Sequence, residues 1–251
     1  MLAVLVHGVC PGVEVLLEGL KREGLNLAEI DERAVFSQNI SSRQTLKETI
    51  DVLHKLRARK VLFIGNDGLL QLSYGVCSTG FQVAYVPSAD SSLAGKAMGT
   101  STVARFLSHL LTLSKEMRHC NTVKVLLPIG LRNLLSKLPS FLESIDEDEG
   151  CSLLVPGSQV KESRIDLREF LNCLDIDERE RQHLQTLARN LCEAFTKWKK
   201  VHHVFCFDEE PVPISKVYEL WKKVKEDEGS SSVREVGDQE YRKLHSGWKD
   251  G

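Results

Sequence analysis

Four apolar residues, Val61 to Ile64, run without a break into the turn Gly65-Asn66-Asp67-Gly68, and this stretch limits the folds open to the chain more than any other. An apolar run rich in β-branched and aromatic residues predicts a strand buried on both faces, which belongs inside a sheet covered by helices on either side. The two glycines allow a tight turn and close approach of the backbone to a ligand. Leu69, Leu70, Leu72 and Val76 then predict a short helix leading away. Strand, glycine turn and helix start together form a phosphate-sized anion site, because the first amides of a helix lack internal partners. Asp67 falls at the carboxyl end of a parallel strand, where open α/β sheets hold their ligands. A carboxylate beside phosphates calls for a divalent cation between them, so the functional reading is a magnesium–nucleotide site. An Asn/Asp-Gly turn without a ligand fits the same residues and is the commoner meaning of such a turn taken alone.

The pattern recurs along the chain. Leu2 to Val6 predicts a first strand, His7-Gly8-Val9-Cys10-Pro11-Gly12 a turn, and Val13, Leu16, Leu17 and Leu20 one face of a helix that Gly24 ends. That turn fits a place under a nucleotide and a plain strand-to-helix connection equally well. Ala34 to Phe36 predicts a short strand, and Ser41-Ser42-Arg43 precedes a helix with Leu46, Ile50, Leu53 and Leu56 inward. Thr45 and Glu48 have capping-box spacing at its start. Arg43, at the mouth of that helix, is a phosphate ligand or a solvated surface arginine. Gln82 to Val86 predicts a strand ending at Pro87, followed by a small polar loop through Gly95 and a long helix after Gly99. Asp90, like Asp67, lies just past the end of a strand. Two carboxylates on one sheet edge allow one to serve a metal and the other to act as general base; an ordinary turn Asp is the alternative.

Further strands are predicted at Val123–Leu127, Ser152–Val155 and His202–Phe207, with a helix marked by Leu131 to Leu138, helical residues over 165–200 in two pieces, and a last helix through Val217, Leu220 and Val224. Glu143 to Gly150 predicts a solvated acidic loop, and His202-His203 a structural pair with no further metal ligand nearby. Repeated strand, glycine or proline turn and helix predict a three-layer α/β protein with a largely parallel sheet. The organisation expected is a nucleotide-binding-like region over 1–125, a second α/β region over 126–225, and a charged, flexible tail over 226–251.

With 251 residues and a formal net charge of -2, the chain is large enough for a substantial core and lacks the basic field that nucleic acid requires. Seven cysteines without a C-x-x-C spacing point to reduced thiols in a cytoplasmic protein. No apolar run approaches membrane length.

Taken together, the turns resemble those of phosphofructokinase. His7-Gly8-Val9-Cys10-Pro11-Gly12 is similar to that family's Gly-Gly-Asp-x-Pro-Gly turn, and Gly65-Asn66-Asp67-Gly68-Leu69 to its Gly-Gly-Asp-Gly-Ser turn. Pro87 through Gly95 is similar to Pro-x-Thr-Ile-Asp-Asn-Asp-Leu-Pro-Gly with one residue fewer, Ser41-Ser42-Arg43 to Gly-Ser-x-Arg, and Glu210-Pro211-Val212-Pro213 to Ser-Pro-Val-Pro. The ordered series spans roughly residues 1–225.

The resemblance implies Mg-ATP-dependent phosphorylation of fructose 6-phosphate at its 1-hydroxyl. It gives Asp67 the magnesium, Asp90 the role of base, and Gly8, Arg43, Gly65, Asn66 and Gly68 the nucleotide. It implies ATP and a sugar phosphate as partners, with a homo-oligomer or a complex with a related chain, and neither nucleic acid nor membrane. Departures from the pattern imply the alternative of a catalytically inactive regulatory or binding subunit. His7 replaces a glycine, Leu69 a hydroxyl residue, Ser92 a carboxylate, and Gly157 a substrate-binding Glu. Leu126-Leu127-Pro128 stands in place of Met-Gly-Arg, and Phe207-Asp208-Glu209 in place of Arg-Gly-Gly.

Overall fold

A computed structural model of the chain describes residues 1–31, 42–93, 97–116, 122–126, 152–156, 165–166 and 168–230. It divides into two units, Met1–Ile214 and Ser215–Gly251. The first is built on a six-stranded sheet of β1 (Leu2–His7), β2 (Leu27–Ile30), β3 (Lys60–Gly65), β4 (Gln82–Pro87), β8 (His202–Val204) and β9 (Val212–Pro213), in the order β2-β1-β3-β4-β8-β9. The first five are mutually parallel and β9 alone runs antiparallel, on β8. The α/β class with a mostly parallel sheet is therefore as the apolar runs predict. The sheet draws strands from both the 1–125 and the 126–225 stretches.

The helices of this unit are α1 (Val13–Arg22), α2 (Ser42–Lys55), α3 (Asp67–Cys77), α4 (Thr100–Glu116), α5 (Arg168–Asn172) and α6 (Glu178–Lys197). On one face of the sheet, Leu2, Val4, Leu62, Ile64, Ala84 and Val86 pack against Leu16, Leu17 and Leu20 of α1 and Leu184, Leu187, Leu191 and Phe195 of α6. The alternating set Ala3, Leu5, Val61, Phe63, Val83 and Tyr85 is also buried, as a strand covered on both faces requires. Here α3 lies against β3 and β4 and packs on α2, where Gly75 brings the helix close to Leu46. Fully burying a Leu, Ile or Phe side chain stabilises by about 1.5–3 kcal/mol, so this double face dominates the fold. A smaller sheet of β5 (Thr122–Leu126), β6 (Ser152–Pro156) and β7 (Ile165–Asp166) has the order β6-β5-β7, with β5 and β6 antiparallel.

Several expectations are corrected. Leu27–Ile30, absent from the sequence reading, is the strand that pairs with β1, while Ala34–Phe36 lies outside the described residues. Helix α2 begins at Ser42, so Thr45 and Glu48 are inside its first turns and form no capping box. Glu48 instead accepts a hydrogen bond from Gln44 Nε2 at 3.3 Å, and the Thr49 hydroxyl donates to the Thr45 carbonyl at 2.7 Å. The predicted strand His202–Phe207 stops at Val204 and is internal, with β9 outside it. The first of the two expected helical pieces shrinks to the five residues of α5. Helix α7 (Ile214–Ser230), all but its first residue in the second unit, continues past Glu226, and Tyr218 stacks on Trp221 along it. The Leu131–Leu138 helix, the 143–150 loop, Gly157 and the tail beyond Ser230 lie outside the described residues. Among the described residues no helix is long and apolar enough to cross a membrane.

Candidate functional site

The chain leaves β1 for β2 on one side and returns to β3 on the other, so the strand order reverses between β1 and β3. Open α/β sheets bind ligands in the crevice this reversal creates, outside the carboxyl ends of the strands. The residues at that point are His7-Gly8 after β1 and Gly65-Asn66-Asp67 after β3, two of the turns singled out by sequence.

Three loops are knitted together there. The Asn66 amide donates to the His7 carbonyl at 3.2 Å, the Ser88 amide to the Gly65 carbonyl at 2.9 Å, and the Ala89 amide to the Val9 carbonyl at 3.0 Å. Gly65 is required by this packing, because a Cβ there would collide with the His7 carbonyl oxygen. Gly8 has φ +131, and a Cβ on it would stand 2.7 Å from Asp90 Oδ1. Gly68 is different: it is exposed in the first turn of α3, and a Cβ would meet nothing closer than Asn66 Oδ1 at 3.3 Å. No positive φ accounts for that glycine; a Cβ there would press on the capping Asn66 side chain, which would have to give by a few tenths of an ångström.

Asn66 is the N-cap of α3, its side-chain oxygen accepting from the Gly68 amide at 3.1 Å. Asp67 is the first helical residue and is half-buried, with Oδ1 accepting from the Ser91 hydroxyl and the Ser92 amide, both at 2.9 Å. Asp90 is only 4% exposed. Its Oδ1 accepts from the Val9 amide at 2.8 Å and from the Ser88 hydroxyl at 2.5 Å. The loop Ser88–Ser92 thus holds both carboxylates, one at each end of its serine series. Arg43 lies in the first turn of α2, and its side chain is outside the described residues.

Three residues of this edge carried no signal in the sequence reading. Tyr85 is fully buried and donates its hydroxyl to the Gly65 carbonyl at 2.7 Å. Burial first, and then the negative charge of Asp67, push its phenol well above the ordinary range. Asn172, at the end of α5, accepts from the Cys10 amide at 2.6 Å and donates to the Gly8 carbonyl at 3.1 Å. Glu180, 3% exposed on α6, accepts from the hydroxyls of Ser101 and Thr102 at the start of α4. A half-buried Asn bridging 164 residues leaves no local pattern; Glu180 could have been suspected as a carboxylate three residues after an Asp N-cap.

The donor set suits magnesium in its usual manner, one or two carboxylates completed by water and phosphate oxygens rather than by a protein cage. Asp67, half-buried at the mouth of α3 beside the Ser91 hydroxyl, is the residue that would hold it. Among the described residues no group of three or more His, Cys, Asp or Glu side chains forms a metal cluster. The His202-His203 pair is structural: His202 Nε2 lies 2.9 Å from the Phe81 carbonyl, and His203 packs edge-on to Trp198.

No protein-family model matches the chain. No curated protein matches it either. Among solved structures, a bromoperoxidase from Bacillus anthracis is similar at 17% identity and a TM-score of 0.28, over 45% of this chain and 51% of that one. The chain thus spans about half the length of that structure, and a likeness this slight carries no argument.

Proposed function

We propose that the chain is a phosphofructokinase-like phosphotransferase that binds Mg-ATP at the β1/β3 crevice and phosphorylates the 1-hydroxyl of fructose 6-phosphate. The observation that supports this reading is the pairing of Asp67 and Asp90 beyond the ends of neighbouring strands β3 and β4, joined by one serine loop. Magnesium bound at Asp67 would neutralise phosphate charge. Asp90 would take the proton of the sugar hydroxyl as its oxygen bonds to the γ-phosphorus and the bond to the bridging oxygen of ADP breaks. The exposed first turn of α3 at Gly68 is where phosphate oxygens would approach, and Arg43 is the candidate cation for them.

A second reading, a non-catalytic regulatory or binding subunit, is favoured by a specific observation. The amides of Val9 and Cys10, which a phosphate in the first turn would use, already donate to Asp90 and Asn172. Asp90 in this role is a tie between loops rather than a base facing substrate. Calorimetric titration with Mg-ATP, then with fructose 6-phosphate added, separates the two. Magnesium-dependent ATP binding strengthened by the sugar phosphate, with turnover abolished in Asp90→Asn, supports the kinase. Binding of neither ligand excludes it and leaves the second reading.

A further inference from the structure

The turn after β1 is held by a strap from far along the chain. Asn172, the last residue of α5, sets its carboxamide against that turn, its oxygen accepting from the Cys10 amide at 2.6 Å and its nitrogen donating to the Gly8 carbonyl at 3.1 Å. Four residues on, Ile176 presses on the same turn, where a Cβ on Gly12 would stand 3.0 Å from two of its carbons. The strap is anchored at both ends. Leu171 before it is fully buried, and Asp177 after it caps α6 by accepting from the Glu180 amide at 2.8 Å. Between these anchors no residue of 172–176 is buried. The neighbouring Val9 amide is bound differently, by Asp90, a carboxylate only 4% exposed. Of the two groups that occupy this turn's amides, Asn172 is therefore the neutral and more accessible one.

A carboxamide oxygen on a backbone amide stands where a phosphate oxygen would, and it is the weaker acceptor, since hydrogen bonds to ionised partners are roughly twice as strong. We propose that Asn172 is an autoinhibitory plug on the crevice: its side chain holds the Cys10 amide in place of a phosphate of Mg-ATP, and the strap 172–176 must release that amide before the nucleotide seats. The inference rests on the reading of the crevice as a Mg-ATP site and adds how that site is regulated. While the plug is in, only the fraction of molecules with the amide free can bind fully, so the apparent affinity is lowered by that fraction. Nucleotide would displace Asn172 by binding the released turn better than the plugged one.

The test is calorimetric titration of the full chain and of Asn172→Ala and Asn172→Ser with Mg-ATP, with adenosine as the control that lacks phosphate. Circular dichroism checks that both variants fold. Each should melt below the native chain, because the Cys10 amide loses its partner, yet bind Mg-ATP about threefold to tenfold more tightly, the worth of one neutral hydrogen bond no longer in competition. Lower stability with higher affinity is a combination that a purely supporting Asn172 would not produce. Binding of Mg-ATP by the variants alone would support the plug most directly. Affinity unchanged or weakened in both variants, while the native chain binds Mg-ATP, would overturn the plug and leave the nucleotide site standing. A gain shown equally by adenosine would also overturn it, since the effect would not lie at a phosphate. Absence of Mg-ATP binding in all three chains would remove the nucleotide reading itself, and the plug with it.

Discussion

Asp90 Oδ1 accepts a hydrogen bond from the backbone amide of Val9 at 2.8 Å, across 81 residues of sequence. The same oxygen takes the Ser88 hydroxyl, so one buried carboxylate atom fastens the turn after β1 to the loop after β4. Asp90→Ala should therefore lower stability by about 1–3 kcal/mol, the cost of stranding a buried donor. Asp90→Asn keeps an acceptor oxygen in place and should cost less. Urea denaturation of the two variants decides this; equal losses would mean that the tie contributes little.

Gly8 and Asp90 form a matched pair. Alanine at Gly8 meets both an unfavourable φ of +131 and the Asp90 carboxylate. Gly24 and Gly80 also have positive φ, +89 and +93, but nothing lies within 4 Å of a Cβ on either. Strain at such positions is of order 1–3 kcal/mol. Gly8→Ala should exceed Gly24→Ala and Gly80→Ala in thermal destabilisation. Similar melting temperatures in all three variants would show that backbone strain alone sets the cost.

For Asp67 the expected split is between binding and folding. An Asn side chain can still accept from Ser91 and Ser92, so Asp67→Asn should change stability by less than about 1 kcal/mol. It should abolish any magnesium dependence of ATP binding, because a neutral amide is a poor ligand for a hard dication. Magnesium-dependent binding that persists in the variant would remove Asp67 from the metal site.

Alkaline pH should destabilise the fold in two stages. Burial pushes the Cys77 thiol up to about 12 from its ordinary 9.0, only partly opposed by Lys200. Between those values the unfolded chain has released the proton and the folded chain has not, so stability falls as pH rises from 9.0. Tyr85 adds a fall in the same direction above 10.0. Each group contributes at most about 1.4 kcal/mol per pH unit, and half-buried Cys77 less because water screens it. Urea midpoints measured from pH 7 upward should drop less steeply in Cys77→Ala just above pH 9. An unchanged slope would exclude the thiol as a cause.

What the sequence revealed divides along a physical line. β3 and its turn were legible because an unbroken apolar run, two glycines and a leucine-rich helix start all lie within sixteen residues of one another. Asp67 and Asp90 drew attention for the same reason, each lying two or three residues past the end of its strand. β2 was missed because Leu27-Ala28-Glu29-Ile30 is short and mixed, and becomes a strand only through pairing with β1. The Thr45–Glu48 spacing misled because i,i+3 pairs of that kind also occur inside helices. Asn172 and Tyr85 act through partners 164 and 20 residues away, and no local periodicity registers such a bond.

The two-residue β9 has a consequence for how copies of this protein meet. A sheet margin is ordinarily an invitation, a row of unpaired amides and carbonyls onto which a foreign strand can zip. This margin is made of Val212 and Pro213 and preceded by Pro211. Proline has no amide hydrogen to offer, and two residues give too short a template for stable pairing. Among the described residues, the side of the sheet beyond β8 thus ends in a strand that offers little to a foreign one.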